Sequence, residues 1–289
     1  MEEPVRNRVY AVREVSLAYT KSGVPYLKLG LWDGTERVDG RVWDGNLAEQ
    51  FASQLKSGDV LFVVEGRWAE YGGAKQLAIE VLRLARAGEY DPAALRPRKD
   101  GTPGKPELLR VIGTVKKAHL GALLEQLLVP LLDEFVEAPA AKGNHHNYQG
   151  GLAEHTLEVV AFCEAAARVY PVLDRDLLVA AALLHDVGKL REYDSESVTF
   201  ERTPVGKLVG HIVIGWGMVK AECKAVPGFP GEEALHLEHL ILSHHGQREW
   251  GSPVEPQTAE AVALHHADLM SARVGQACGA VAGAAAWRT

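Results

Sequence analysis

A segment crowded with proline and glycine divides this chain and limits what either side can fold into. Residues Ala87 to Leu108, AGEYDPAALRPRKDGTPGKPEL, contain four prolines and three glycines. Regular helices and strands do not tolerate that density of breakers. Apolar residues also recur with different periods before and after the segment. We therefore predict separate domains at residues 1–86 and 107–289, joined by a linker over residues 87–106.

Before the linker, apolar and polar residues alternate as in half-buried β-strands. In VPYLKLGLWDG, Leu27, Leu29 and Leu31 fall on one face, and Asp33-Gly34 is a hairpin turn signal. The segment NLAEQFASQLKSGD then has helical spacing with Asn46 as its cap, and further strands follow it. The order of three strands, a helix and two strands predicts a five-stranded OB-fold β-barrel.

Aromatic and cationic side chains are interleaved along these strands. Barrels of this class bind single strands by stacking bases on exposed aromatics beside cationic groups. The alternative is that the same aromatics close the barrel or pack on the second domain, and alternation alone does not decide between the two. The residues concerned are Tyr26, Trp32, Trp43, Trp68, Tyr71, Arg37, Arg41, Arg67 and Lys75.

After the linker, apolar residues recur at three- and four-residue spacing, for example in RDLLVAAALLHDVGKLREY and EEALHLEHLILSHHG. This period predicts an all-α domain over residues 107–289. The fold class is therefore α+β and multidomain, a small barrel followed by a helical bundle.

Composition narrows the classes of function. A formal charge of -7 and a pI near 6.0 argue against a protein that coats nucleic acid electrostatically, although bound metal ions would add local positive charge. Three widely spaced cysteines indicate neither a disulfide framework nor a Cys-x-x-Cys site. The N-terminal residues resemble no signal peptide and no apolar run is long enough to span a membrane, so we expect a cytoplasmic protein without a membrane partner. The sequence does not indicate an oligomeric state.

The stretch LLHDVGKL, residues 183–190, places ionisable groups inside an apolar helix. Buried ionisable groups are costly unless they are paired or bind a metal. His185 and Asp186 stand next to Gly188, where a helix ends and both side chains can turn toward one pocket. With His155 and Asp268 from two other helices they suffice for one metal ion with open positions.

Further histidines indicate a second ion. His211 follows Gly210 at the start of a helix, and His244 and His245 precede Gly246 at the end of another. Asp186 has two oxygens and can bridge both ions. Two ions about 3.5–4 Å apart clamp a phosphoryl group and activate the attacking water.

Together these motifs resemble the HD-domain metal-dependent phosphohydrolases. The stretches NHHNYQGGLAEHT, GHIVIG, HLILSHHGQREWGSP and ALHHADLMSAR, with LLHDVGKL, resemble more closely the YhaM-type 3'→5' exoribonucleases, which join an OB fold to an HD domain. The resemblance spans nearly the whole chain. It implies hydrolysis of single-stranded RNA from the 3' end to nucleoside 5'-monophosphates, with single-stranded DNA as a second substrate and RNA the favoured partner.

The resemblance also implies roles for individual residues. His155, His185, Asp186 and Asp268 would bind the first ion, and Asp186, His211, His244 and His245 the second. Manganese is the expected ion, with iron, magnesium or another divalent ion as alternatives. The sequence departs from the pattern at Ser271, where we expect relatives to carry a second acid three residues after the last metal-binding aspartate.

Other residues have candidate roles in catalysis or substrate binding. Asp186 is predicted to be catalytic because it would touch both ions. Lys189 is predicted to contact a phosphate oxygen; its alternative role is that of a lysine that caps the helix dipole. His145 and His146, in a Gly/Asn-rich loop, either contact the substrate or are ordinary loop residues, and Trp250 is available for base stacking.

Two other functions fit the same motifs. One is a phosphodiesterase or phosphatase of a small or cyclic nucleotide, which would have no evident need of the barrel. The other is a single-strand nucleic-acid binding protein with a non-catalytic HD domain, which would not need Lys189 or open metal positions.

Overall fold

The computed structural model describes residues 3–71, 73–99, 101–141, 147–195 and 197–283. Its internal contacts divide the chain into two compact units. The first comprises Met1–Arg98 and Ser195–Glu201, and the second comprises Lys99–Asp194 and Arg202–Thr289. The predicted linker is therefore shared between the units, and the domain boundaries given above stay predictions.

The first unit contains a closed barrel in the strand order β1-β2-β3-β5-β4. All neighbouring pairs are antiparallel except β3 and β5, which are parallel. A helix, α1, separates β3 from β4, so the predicted OB order is confirmed. The bounds are β1 Pro4–Tyr19, β2 Pro25–Trp32, β3 Arg37–Val42, α1 Gly45–Gln54, β4 Val60–Tyr71 and β5 Ala74–Leu84.

The alternating pattern correctly predicts which side chains of β2 are buried. Leu27, Leu29 and Leu31 are buried in the barrel core, whereas Lys28 between them is exposed. At the following turn the Asp33 carboxylate accepts hydrogen bonds from the backbone of Thr35 and Glu36 at 2.8 and 2.9 Å. Local side-chain bonding thus closes the turn and fixes the register of β2 and β3.

The cap of α1 was predicted wrongly. Its N-cap is Asp44, whose side chain accepts from the backbone N–H of Leu47 at 3.0 Å, whereas Asn46 lies inside the first turn. Both residue types favour an N-cap, and the sequence places them two positions apart, so composition does not choose between them.

Residues 195–201 complete a small apolar cluster of the first unit. Val198 is buried with Ala11, Val60 and Leu95. The carbonyl oxygen of Ser197 accepts from Arg96 Nε at 3.1 Å. Leu95 lies in a single 3₁₀ turn, Ala93–Leu95, within the segment predicted to be irregular. Such a turn is compatible with breakers because proline is favoured at its start, here Pro92.

The second unit is built of helices around one apolar core, as predicted. The helix α2 begins at Lys105 and accommodates Pro106 in its first turn, where no N–H is needed. The central helix α6 is buried throughout from Asp176 to Leu184. The helices are α2 Lys105–Ile112, α3 Ala118–Leu127, α4 Leu132–Phe135, α5 Gly151–Val169, α6 Arg175–Leu184, α7 Lys189–Glu192, α8 Pro204–Leu208, α9 His211–Ala225, α10 Gly231–Ser243 and α11 Ala259–Gly283.

Over the described ranges of the chain, we find no helix whose length and apolar character would suit it to crossing a bilayer.

Candidate metal centre

Helices of the second unit bring the residues predicted as metal ligands to one place. Most of them stand where a helix begins or ends, so their side chains converge without sharing a helix face. They are His155 in α5, His185 and Asp186 directly after α6, His211 as the first residue of α9, His244 and His245 directly after α10, and Asp268 in α11.

Gly188 is needed for this convergence. A Cβ atom at this position would lie 2.0 Å from the carbonyl oxygen of His211 and 2.6 Å from the amide nitrogen of Gly215. The turn between α6 and α7 therefore packs directly against the first turn of α9. This close approach brings Asp186 and His211 together, and any side chain at position 188 would push them apart.

One group of ligand atoms surrounds the Oδ2 oxygen of Asp186. His155 Nε2 lies 3.5 Å from this oxygen and His185 Nε2 lies 3.3 Å from it. His155 Nε2 is also 3.2 Å from Asp268 Oδ1. All four side chains are buried or nearly so. Two imidazoles and two carboxylates with their ligand atoms this close together form a donor set that suits a divalent transition-metal ion.

A second group faces the other oxygen of Asp186. His211 Nε2 lies 3.4 Å from Oδ1, and His244 Nε2 lies 3.8 Å from it. Ligand atoms of His211, His244 and His245 all lie within 4.8 Å of one another. Asp186 thus turns one oxygen to each group, as the bridging hypothesis requires.

The five histidines are held by their Nδ1 atoms, so each Nε2 is turned to the centre. Nδ1 of His185 donates to the carbonyl oxygen of Ala182, that of His244 to Ile241 and that of His245 to Trp250, at 2.8, 2.7 and 2.9 Å. The corresponding neighbours are Glu192 Oε2 for His211, at 2.8 Å, and Ser271 Oγ for His155, at 2.9 Å. Carbonyl oxygens only accept, so His185, His244 and His245 carry their proton on Nδ1 and offer the Nε2 lone pair.

The buried polar atoms of the site lack enough partners within the protein. Asp186 Oδ1, His211 Nε2 and His244 Nε2 are buried and make no hydrogen bond among the described residues. Unpaired buried polar atoms are costly. Atoms that carry lone pairs and face a common point fit a bound cation, which would satisfy them together.

The protonation states of His155, His244, His245 and Asp186 also suit metal binding. Burial lowers the pKa of His155, His244 and His245, well below the ordinary value in the case of His244. Burial works against ionisation of Asp186, but Lys189 and the neighbouring histidines outweigh it and hold the pKa of that carboxyl well below its usual range. Neutral imidazoles beside an ionised carboxylate are the forms in which these groups bind metal.

Lys189 lies beside this centre. Its ammonium donates to Asp186 Oδ2 at 2.6 Å, and its side chain is largely buried. Burial lowers the pKa of Lys189, but the Asp186 charge outweighs that effect and raises it above its ordinary value. Lys189 is therefore a fixed positive charge with further N–H groups available to a bound anion.

Of the residues predicted to bind substrate, the structure describes Trp250 alone. Trp250 is 44% exposed, and its ring centre lies 6.1 Å from that of His265. His145 and His146 lie outside the described residues.

Several residues that support the ligands were missed in the sequence. Glu192 contacts His211 Nδ1 and is itself 3.1 Å from Arg202 Nε. His265 donates from Nδ1 to the carbonyl oxygen of His244 at 2.8 Å. Gly246 makes room for that ring, since its φ is +81° and a Cβ there would lie 2.2 Å from His265 Cε1. The glycine after the His-His pair was the only sequence signal of this arrangement.

The barrel presents a separate aromatic surface. Tyr26 and Trp43 are stacked with ring centres 4.7 Å apart, and Tyr71 lies 6.2 Å from Trp43. Trp43 and Tyr71 are 41% and 72% exposed. Exposed Lys28 lies 5.7 Å from the centre of the Tyr26 ring. Trp32 and Trp68 instead pack against apolar clusters, so the structural interpretation applies to these two residues. A stacking role for the exposed rings stays a prediction.

Comparison with known proteins follows the same division of the chain. The HD domain family model matches residues 152–273. A 3'-5' exoribonuclease YhaM of Geobacillus sp. (strain WCH70) is 33% identical over 268 residues, which cover 91% of this chain and 81% of that protein. A protein of the same description from Bacillus licheniformis is 34% identical over 270 residues, 91% of this chain and 83% of its own. The HD assignment made from the motifs is thereby confirmed.

One solved structure resembles a smaller part of the chain. A mitochondrial single-stranded DNA-binding protein from S. cerevisiae is 14% identical with a TM-score of 0.24, over 30% of this chain and 97% of its own. The assignment of the barrel rests on its own strand order.

Proposed function

This chain belongs to the YhaM family of 3'-5' exoribonucleases, and we propose that it is a metal-dependent 3'→5' exonuclease of single-stranded RNA that releases nucleoside 5'-monophosphates. One observation above all supports this proposal: the two oxygens of Asp186 face two different groups of imidazoles. A carboxylate shared by two groups of ligands can hold two ions close together, the arrangement in which paired metal ions clamp a phosphoryl group. Single-stranded DNA is proposed as a second, less favoured substrate.

The ligand set is proposed to hold two divalent ions. His155, His185, Asp186 and Asp268 would hold the first. Asp186, His211, His244 and His245 would hold the second. Manganese fits a mixed set of imidazoles and carboxylates, and iron or magnesium are the alternatives.

The protein's own residues supply binding and positioning around that centre. Bound ions would polarise the phosphoryl group and lower the pKa of water. Asp186 holds its two oxygens in fixed directions because Lys189 pairs with Oδ2. The ammonium of Lys189 is placed to donate to a phosphate oxygen and to offset charge that develops there in the transition state. Trp250, which is 44% exposed, is proposed to stack on a base of the strand.

The barrel is proposed to hold the strand through the Tyr26, Trp43 and Tyr71 rings. Three aromatic faces beside Lys28 provide stacking for bases and positive charge for phosphates. Stacking is tolerant of sequence, which suits an enzyme that degrades strands of any composition. The proposed location is the cytoplasm, which is where single-stranded RNA is found.

The alternatives are less favoured. A phosphodiesterase of small or cyclic nucleotides would leave the aromatic surface of the barrel without a role. A non-catalytic binding protein would give no role to buried Lys189 or to the unpaired lone pairs of His211 and His244.

A degradation assay on the full-length protein tests the proposal. Metal-stripped protein is supplied with Mn²⁺ and 5'-labelled single-stranded RNA, and we expect ladders that shorten from the 3' end with release of 5'-monophosphates. RNA blocked at its 3' end, single-stranded DNA and a cyclic dinucleotide serve as comparisons, and Asp186→Asn is the inactive control. Hydrolysis of the cyclic dinucleotide alone would favour the first alternative, and binding of RNA without cleavage would favour the second.

A further inference from the structure

Both ring nitrogens of His155 lie close to residues that are one helical turn apart on α11. Its Nε2 atom lies 3.2 Å from Asp268 Oδ1, and its Nδ1 atom lies 2.9 Å from Ser271 Oγ. Positions three apart share one face of a helix, so α11 presents both partners to the same imidazole.

The hydrogen bonds through Ser271 have a fixed direction. Its hydroxyl lies 2.6 Å from Glu158 Oε2, and an ionised carboxylate only accepts. The hydroxyl therefore donates its single proton to Glu158 and accepts from Nδ1–H of His155. Ser271 is 2% exposed, which leaves no room for bulk water to take over this role.

We propose that Ser271 and Glu158 form a positioning relay that makes His155 a metal ligand. The relay fixes the proton of His155 on Nδ1, so that the Nε2 lone pair points at the Oδ2 side of Asp186. Relatives are expected to carry an acid at the position of Ser271; here Glu158, one turn beyond His155 on α5, supplies the carboxylate through the serine hydroxyl. This inference rests on the metal-binding part of the proposed function.

His155 differs in this respect from the other histidines of the centre. His185, His244 and His245 donate to main-chain carbonyls, and His211 contacts the Glu192 carboxylate directly. Only the anchor of His155, among these five, depends on a side-chain hydroxyl. Removal of a single oxygen atom, the Ser271 Oγ, therefore tests the relay.

Calorimetric titration of the full-length, metal-stripped protein with Mn²⁺ is the primary test. Partners behind a ligating histidine are worth about 10–100-fold in metal affinity. We expect Ser271→Ala to weaken one of the bound ions by that factor and Glu158→Gln to weaken the same ion. Ser252→Ala is the matched control, since it removes an equally buried hydroxyl that bonds to the carbonyl oxygens of Leu242 and Val254. This control should leave Mn²⁺ affinity unchanged.

A double-mutant cycle separates the relay from simple packing. If Glu158 acts through Ser271, the double variant Ser271→Ala/Glu158→Gln binds Mn²⁺ as weakly as Ser271→Ala alone. Additive losses would overturn the proposal, as would wild-type affinity in Ser271→Ala.

A rescue variant covers the case in which Ser271→Ala fails to fold. In Ser271→Asp/Glu158→Gln the carboxylate at 271 accepts from His155 directly. We expect the Mn²⁺ affinity of this variant to lie within about threefold of wild type, a much smaller change than the loss of about 10–100-fold expected for Ser271→Ala. Failure of this variant to recover affinity would overturn the relay. The readout is metal binding, so a protein that binds Mn²⁺ as described but cleaves no RNA would contradict the proposed function and leave the relay standing.

Discussion

The Nζ atom of Lys189 lies 2.6 Å from Asp186 Oδ2, the oxygen that also faces His155 and His185. In the absence of metal, the Lys189 ammonium balances much of the buried negative charge of Asp186. Removing one partner of a buried ion pair leaves the other uncompensated, at a cost of about 3–5 kcal/mol.

The first prediction concerns Lys189. We expect Lys189→Met to destabilise the metal-free protein by about 3 kcal/mol and to lower kcat by about 10²-fold with metal present, because it removes a donor to the transition state. Saturating Mn²⁺ should restore most of the thermal stability, since the ions then balance Asp186. Thermal unfolding with and without Mn²⁺ measures this, and equal destabilisation in both conditions would contradict the account.

Asp186→Asn should affect both ions at once. A carboxamide offers a single neutral oxygen, so we expect loss of both high-affinity Mn²⁺ sites and a fall in kcat of more than about 10³-fold. Calorimetry gives the number of ions bound, and circular dichroism checks the fold. A variant that still bound one ion tightly would show that Asp186 does not bridge.

Glu192→Gln should weaken the ion held by His211 in preference to the other. Glu192 contacts His211 Nδ1 at 2.8 Å, and losing such a partner lowers metal affinity by about 10–100-fold. Glu134→Gln is the control, because Glu134 forms an exposed ion pair with Arg191, next to Glu192 in α7. Equal effects of the two substitutions on Mn²⁺ binding would refute the anchoring role.

The barrel surface is tested by single aromatic substitutions in the whole protein. Each stacked base contributes roughly 1–3 kcal/mol, so Trp43→Ala and Tyr71→Ala should each weaken binding of long single-stranded RNA by about 5–150-fold. Hydrolysis of a dinucleotide, which needs only the proposed metal centre, should be unchanged. Tyr170→Ala removes an aromatic of similar exposure, 62%, from the other unit and is the control. Undiminished affinity in both barrel variants would return these rings to a structural role.

A stability prediction with a defined pH dependence follows from Asp176. Its Oδ2 atom accepts from the backbone N–H groups of Lys116 and Lys117 at 2.7 and 2.9 Å. Burial alone would raise the pKa of Asp176, but Arg175 and these N–H groups outweigh it and lower the pKa. The stabilisation is therefore fully present above the unfolded pKa of about 3.9 and is lost as pH falls through the lower folded value.

Asp176→Asn should accordingly destabilise the protein by about 1–3 kcal/mol at neutral pH. The difference from wild type should shrink as pH falls below about 4. Denaturant unfolding at several pH values measures it, with Asp133→Asn, an exposed residue, as the control. A difference that grew in acid would have the wrong sign.

The sequence predicted most of the candidate ligands because they stand at visible breaks in a helical pattern. His185-Asp186 precede Gly188, His211 follows Gly210, and His244-His245 precede Gly246. Glycine marks the end of an apolar period, and ionisable side chains at such an end face a pocket. Asp268 lies inside α11 and was found through the resemblance as much as through its spacing.

The anchors behind the ligands could not be predicted in the same way. Ser271 reaches His155 from another helix, and the Glu192 contact to His211 depends on how α7 packs against α9. These contacts join residues that are distant in sequence, and neither position breaks a local pattern. The cluster around Val198 was missed for the same reason, since its partners come from the first 98 residues of the chain.

That cluster has a consequence for how the protein is made. Chains emerge from the ribosome N-terminus first, and domains generally fold as units in that order. The barrel strands are complete once β5 has emerged, but Val198 reaches the small cluster only after the whole segment Lys99–Asp194 has been synthesised. Until then Leu95 and Val60 lack that covering residue. We expect nascent chains arrested before residue 195 to carry a barrel that is looser at this edge, and to tighten it once residues 195–201 emerge.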